Sequence, residues 1–124
     1  MADETRPTRL LFVCTANQHR SRTAEDLYSS DPRYQVQSAG THTYGDNPEE
    51  RQVTREMVEW ADLIFVMEKH HRSALEERFP ECRARIVVLN IPDWYYRGDP
   101  RLVEILRPRL LECLRSEENP EFLT

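Results

Sequence analysis

Leu10-Leu11-Phe12-Val13-Cys14, followed by Thr15-Ala16-Asn17-Gln18-His19-Arg20-Ser21, is the stretch that decides the fold. Its first five residues are nearly all apolar, the pattern of a central parallel strand buried on both faces. A short polar loop comes next, and Ser21-Arg22-Thr23-Ala24-Glu25 opens a helix. A cysteine begins the loop and an arginine closes it. A loop set between a strand and a helix N-terminus can wrap a small anion with inward-pointing backbone N–H groups. The planar fork of Arg20 then grips two oxygens of that anion. The same positive surroundings favour the thiolate of Cys14 over the thiol. A thiolate facing a bound tetrahedral oxyanion is placed for nucleophilic attack, which points to hydrolysis of a phosphate ester.

Outward from this stretch the chain alternates strands and helices. Ala24, Leu27 and Tyr28 stand at i, i+3 and i+4, and that helix ends near Ser29-Ser30-Asp31-Pro32. Tyr34–Ser38 alternates apolar and polar residues, as an edge strand does. Ala39-Gly40-Thr41 begins a loop through Gly45, Asn47 and Pro48. Val53, Met57 and Trp60 mark a helix that starts near Pro48 or Gln52. Leu63–Met67 is a second continuous apolar strand. His71, Leu75 and Phe79 share one face of the next helix, stopped by Pro80, and Ile86–Leu89 is the fourth strand. Asn90–Gly98 is an aromatic loop containing Asp93, Trp94, Tyr95 and Tyr96. Asp99-Pro100 supplies an N-cap and a proline at the first helical position. The last helix presents Val103, Leu106, Leu110, Cys113 and Leu114 on one face, with a bend expected at Pro108.

Four strands alternating with four helices predict an α/β domain: a doubly wound four-stranded parallel sheet flanked by helices on both faces. The expected domain spans residues 9–116, with flexible tails at 1–8 and 117–124. Ligands of such sheets bind at the carboxyl ends of the strands, where strand order reverses. The cysteine loop follows the first strand and the Asp93 loop the fourth, so both open on that edge.

The 124 residues, 39% hydrophobic and 31% charged, suit one domain whose core needs no disulfide staples. A net charge of −5 without a long basic run argues against nucleic acid or an anionic membrane as partner. The polar first nine residues contain no secretory signal, and no apolar run approaches the roughly 18 residues of a spanning helix. Three cysteines at irregular spacing form neither a disulfide framework nor a zinc site. A reducing cytoplasm is the expected location.

Cys14-x5-Arg20-Ser21 after an apolar strand resembles the phosphate-binding signature of the low-molecular-weight protein tyrosine phosphatase family. The resemblance takes in Asn17, Ser38-Ala39-Gly40-Thr41, Ala61-Asp62, and Ile91-Pro92-Asp93 followed by Tyr95-Tyr96, in the family's order from residue 9 to about 106. It implies that Cys14 is the nucleophile of a phosphocysteine intermediate, and that Arg20 binds the phosphoryl oxygens together with the backbone of Thr15, Ala16, Asn17, Gln18, His19 and Arg20. Ser21 would donate to the sulfur, Asn17 would hold the loop's shape, and Asp93 would act as general acid and then base. Trp94 and Tyr95 would wall the substrate pocket. No metal or other cofactor is implied, and the partner is a phosphorylated substrate: a phosphotyrosine protein or a small aryl or alkyl phosphate.

The chain departs from the family at several points. Ala16 stands where glycine is usual, His19 where relatives carry a second cysteine, Arg22 and Trp94 where they carry proline. The segment between Thr41 and Gln52 is much shorter, which marks a compact branch. Two other functions fit parts of the pattern. An arsenate reductase would need two further cysteines near the second apolar strand, which ends in Val66-Met67-Glu68. A non-catalytic phosphate or phosphopeptide binder would keep the loop without the acid. Cys82 and Cys113 read as structural, and His70-His71 as helix surface plus a packing contact.

Overall fold

The computed structural model of the chain describes residues 6–43 and 49–118. It comprises β1 (Thr8–Cys14), α1 (Arg20–Tyr28), β2 (Tyr34–Gly40), α2 (Arg55–Trp60), β3 (Leu63–Val66), α3 (Lys69–Arg78), β4 (Arg85–Val88) and α4 (Pro100–Glu118). The four strands pair in parallel in the order β2-β1-β3-β4. This is the expected doubly wound sheet, and strand order reverses between β1 and β3.

Alternation along the strands builds two cores. Leu10, Phe12, Leu63 and Phe65 face Ala24 of α1 and Leu102, Leu106, Leu110 and Leu114 of α4. Leu11, Val13, Ile64 and Val66 face Val58 of α2 and Leu75 of α3. Both faces of β1 and β3 are therefore buried, which is why these two strands read as unbroken apolar runs while the edge strand β2 alternates.

The differences from expectation are local. Val53 lies ahead of α2, not in it: its N–H donates to the Gly40 carbonyl, and Gln52 bridges to Gly40, so residues 51–53 extend β2's edge. The helix starts only after Thr54, whose Oγ1 accepts from Met57 N–H at 3.2 Å. Leu102, not Val103, begins the buried stripe of α4. Pro108 lies inside that helix. The chain is ordered earlier than the expected leader: Thr8 opens β1, and Arg6 makes a two-pronged contact with Asp62 at 3.0 and 3.1 Å. The tail residues 1–5 and 119–124, and the loop through Gly45, Asn47 and Pro48, lie outside the described residues. Among the described residues no helix is long and apolar enough to cross a membrane.

Candidate active site

The loop from Cys14 to Ser21 sits at the carboxyl end of β1, in the crevice where strand order reverses. Its shape is enforced from below. Asn17 takes a left-handed conformation (φ 58°), which Asn tolerates better than most residues. Its side chain is saturated: Oδ1 accepts from Arg51 N–H at 3.0 Å, and Nδ2 donates to Ser21 Oγ at 2.9 Å and to Ser38 Oγ at 3.0 Å. Ser38 passes its own hydrogen to Glu25 at 2.7 Å, and Glu25 is held in turn by Arg51 at 3.0 Å. Ser21 Oγ, which accepts from Asn17, lies within hydrogen-bond distance of Cys14 Sγ at 3.0 Å.

Gly40 makes this packing possible. A Cβ there would stand 2.5 Å from the Thr15 carbonyl oxygen and 2.8 Å from Asn17 N, so the loop rests directly on the glycine backbone. The methyl of Ala16 brings no comparable strain, since Asn17 and Asn90 are the described non-glycine residues with positive φ. Arg22 lies buried under the loop with Nε donating to the Asn17 carbonyl at 3.3 Å. Burial, then neighbouring Arg51, lowers its pKa from the ordinary arginine value.

Arg20 is fully enclosed, and its Nη1 donates to Glu68 Oε2 and to the Ile91 carbonyl, both at 2.7 Å. Its Nε lies 3.7 Å from Asp93 Oδ1, whose carboxylate is 63% exposed. Cys14, Arg20 and Asp93 are thereby gathered at one mouth from the end of β1, the start of α1 and the loop after β4. A depression of about 530 Å³, lined by Glu68, Lys69, His70, Asn90, Ile91 and Pro92, opens beside them.

The remaining expected site residues are placed less uniformly. Gln18 is exposed and hydrogen-bonds Glu50. His19 caps α1, and its Nδ1 accepts from Arg97 N–H at 3.2 Å. Trp94 is 76% exposed, whereas Tyr95 packs against the core with the Arg101 guanidinium over its ring. Trp94 therefore stands in solvent, while Tyr95 leans inward.

Two residues at the mouth went unread in the sequence. Glu68, the N-cap residue of α3, is the carboxylate partner of Arg20. His71 is fully buried, and it does more than pack. Its Nδ1 accepts from Glu68 N–H at 3.0 Å, so its hydrogen sits on Nε2 and is donated to Thr15 Oγ1 at 2.9 Å. Burial, reinforced by the positive potential of His70, Arg20 and His42, brings its pKa down to about 3. The imidazole is a neutral brace between α3 and Thr15, the residue after Cys14. Glu68, His70 and His71 place donor atoms within 4.8 Å of one another, the spacing of a metal cluster. Both nitrogens of His71 are engaged and Glu68 is bound to Arg20, so these groups are committed to the loop.

No family model matches the chain. In sequence it is similar to a protein-arginine-phosphatase of Geobacillus stearothermophilus, 27% identical over 147 residues that take in 90% of this chain and 99% of the relative. That span exceeds the 124 residues here, so the relative carries positions this chain lacks. In structure it is similar to the YwlE arginine phosphatase from the same organism, with TM-score 0.65 and 26% identity over 90% of this chain and 96% of the other. The protein tyrosine phosphatase of Entamoeba histolytica shares the fold, with TM-score 0.72 and 23% identity over 92% of this chain and 99% of the other.

Proposed function

We propose that this chain, which is similar in fold and in its phosphate loop to the low-molecular-weight protein tyrosine phosphatases, hydrolyses phosphorylated substrates through a phosphocysteine intermediate. The observation that carries this reading is one loop holding the Cys14 sulfur 3.0 Å from Ser21 Oγ and Arg20, whose Nε lies 3.7 Å from the Asp93 carboxylate.

In the first step the Cys14 thiolate attacks phosphorus while the bond to the leaving atom breaks. Asp93 gives its proton to that atom. Arg20 and the N–H groups of residues 15–20 meet the charge on the equatorial oxygens, a term that grows in the transition state because the donors are already in position. In the second step water attacks phosphorus, Asp93 takes its proton, and the S–P bond breaks to return the thiolate. The Ser21 hydroxyl on the sulfur favours that departure.

The expected substrate is a phosphorylated protein side chain, phosphotyrosine first, with the exposed Trp94 beside the mouth as a surface for an aryl group. The name of the G. stearothermophilus relative supports phosphoarginine as a second substrate, in which a P–N bond breaks and Asp93 protonates nitrogen. An arsenate-reductase relay has no support from the cysteines. Cys82 precedes β4 at the amino end of the sheet, opposite Cys14, and no disulfide joins any of the three cysteines.

The test is steady-state turnover of p-nitrophenyl phosphate, a phosphotyrosine peptide and a phosphoarginine peptide at pH 5 to 8, beside Cys14→Ser. Cys14→Ser loses turnover and keeps vanadate binding. A wild-type protein that binds vanadate yet turns over none of the three would establish a phosphate-binding module instead.

A further inference from the structure

Residues 89–99, which carry Asp93, form neither helix nor strand. Such a segment holds one conformation only where specific bonds offset the entropy lost in ordering it. Its leading end is tied to the sheet: the N–H groups of Leu89 and Ile91 donate to the Val66 and Met67 carbonyls at 2.9 and 2.8 Å, and the Ile91 side chain is fully buried.

Its trailing end is tied to α1. Arg97 lays its guanidinium on Asp26 through two parallel bonds, Nε to Oδ2 at 2.9 Å and Nη2 to Oδ1 at 2.8 Å. The hydrogen bonds from Arg97 lower the carboxyl pKa of Asp26 from its ordinary value. The Arg97 N–H donates to His19 Nδ1, and the Gly98 N–H to Thr23 Oγ1 at 3.0 Å. Thr23 donates onward to the His19 carbonyl at 2.7 Å. The ring of Tyr96 meets the His19 imidazole edge-on, with centroids 5.3 Å apart. Gly98, at φ +79°, supplies the turn that brings these groups down onto the helix.

His19, Thr23 and Asp26 stand at i, i+4 and i+7, one stripe along the helix. The helix that offers Arg20 to the oxyanion at its first residue thus holds the acid-bearing loop along its side. Pro92–Trp94 span the gap between the two anchors, with Tyr95 packed against the core at its trailing end.

We propose that Asp26 and Arg97, with His19, are positioning residues for Asp93: the clamp on α1 fixes where the acid stands relative to the phosphate loop. The proposal rests on the phosphatase reading above. The Asp26–Arg97 pair is about half exposed, 47% and 48%, and an exposed pair adds little to global stability even in good geometry. Its removal therefore frees the loop while the fold stands, and the loss falls on whatever chemistry Asp93 performs.

The experiment compares kcat/KM for phenyl phosphate, a poor leaving group that needs protonation, and p-nitrophenyl phosphate, a good one that hardly does. Asp26→Ala and Arg97→Ala each lower the phenyl phosphate value about tenfold, the scale on which a displaced catalytic group loses rate. The p-nitrophenyl phosphate value and Tm stay close to wild type. In an Asp93→Asn background Arg97→Ala adds nothing further, and the charge swap Asp26→Arg with Arg97→Asp recovers part of the loss. Equal losses on the two esters, or full additivity with Asp93→Asn, overturn the positioning role and leave the phosphatase reading intact. A wild-type protein that turns over neither ester, nor a phosphotyrosine or phosphoarginine peptide, overturns both.

Discussion

His71 makes a stability prediction whose sign and size follow from its surroundings. The imidazole is fully buried, accepts from Glu68 N–H, donates to Thr15 Oγ1, and has its pKa brought down to about 3. In the unfolded chain a histidine takes up its proton near the ordinary 6.5. Between those two values the unfolded state binds a proton that the folded state refuses. The contribution is therefore whole above about pH 6.5 and is lost as pH falls towards 3. The slope in that window is about 1.4 kcal/mol per pH unit, so lowering the pH from 7 to 4.5 removes about 2–3 kcal/mol. The assay is urea unfolding of wild type and His71→Gln at intervals between pH 7 and 4.5. Depressed carboxylates such as Asp26 and Asp62 are common to both proteins and cancel in the difference. The stability gap between wild type and variant should narrow by about 2–3 kcal/mol over that range. A gap that stays constant with pH would refute the neutral, buried imidazole as the source.

Asp93→Asn is expected to cut kcat/KM by about 10²-fold or more on phenyl phosphate, and far less on p-nitrophenyl phosphate, because only the poorer leaving group needs the proton; equal losses on both would remove Asp93 from the acid's role. Arg20→Lys should not recover activity, since an ammonium cannot make the two-pronged contact of a guanidinium or fill its place between Glu68 and the Ile91 carbonyl; turnover near wild type would refute that geometry. Gly40→Ala drives a Cβ into the backbone under Thr15 and Asn17 and should cost about 1–3 kcal/mol of stability together with most of the vanadate affinity. Equilibrium unfolding and vanadate inhibition check this, and a variant with unchanged inhibition would show that the loop does not need that support.

The sheet was legible because its signals are local. Leu10–Cys14 and Leu63–Val66 are buried on both faces, and continuous apolar runs of that length between turn signals have few other uses. The start of α2 was misplaced for an equally physical reason. Val53 keeps helical spacing with Met57 and Trp60, yet its N–H is claimed by the Gly40 carbonyl, a partner from another part of the chain that periodicity cannot see. The leader was read as flexible from its polarity, while Arg6 finds Asp62 across the edge of the sheet.

Sequence by itself determined the α/β class, the strand-loop-helix around Cys14, and the presence of Arg20, Ser21 and Asp93 in the order that this chemistry requires, since each lies in a motif or at an element's end. Only the tertiary structure decided which other groups serve them. Glu68 and His71 lie far from the cysteine loop in the chain and come to it because β3 pairs with β1 and α3 turns back over the crevice. Ser38, Glu25 and Arg51 converge on Asn17 from three separate segments. Arg97 and Asp26 read as ordinary surface charges until the loop after β4 is laid along α1. A motif records the residues proposed to act on the phosphoryl group. The hydrogen bonds that hold those residues still are made across space, and the fold alone assigns them.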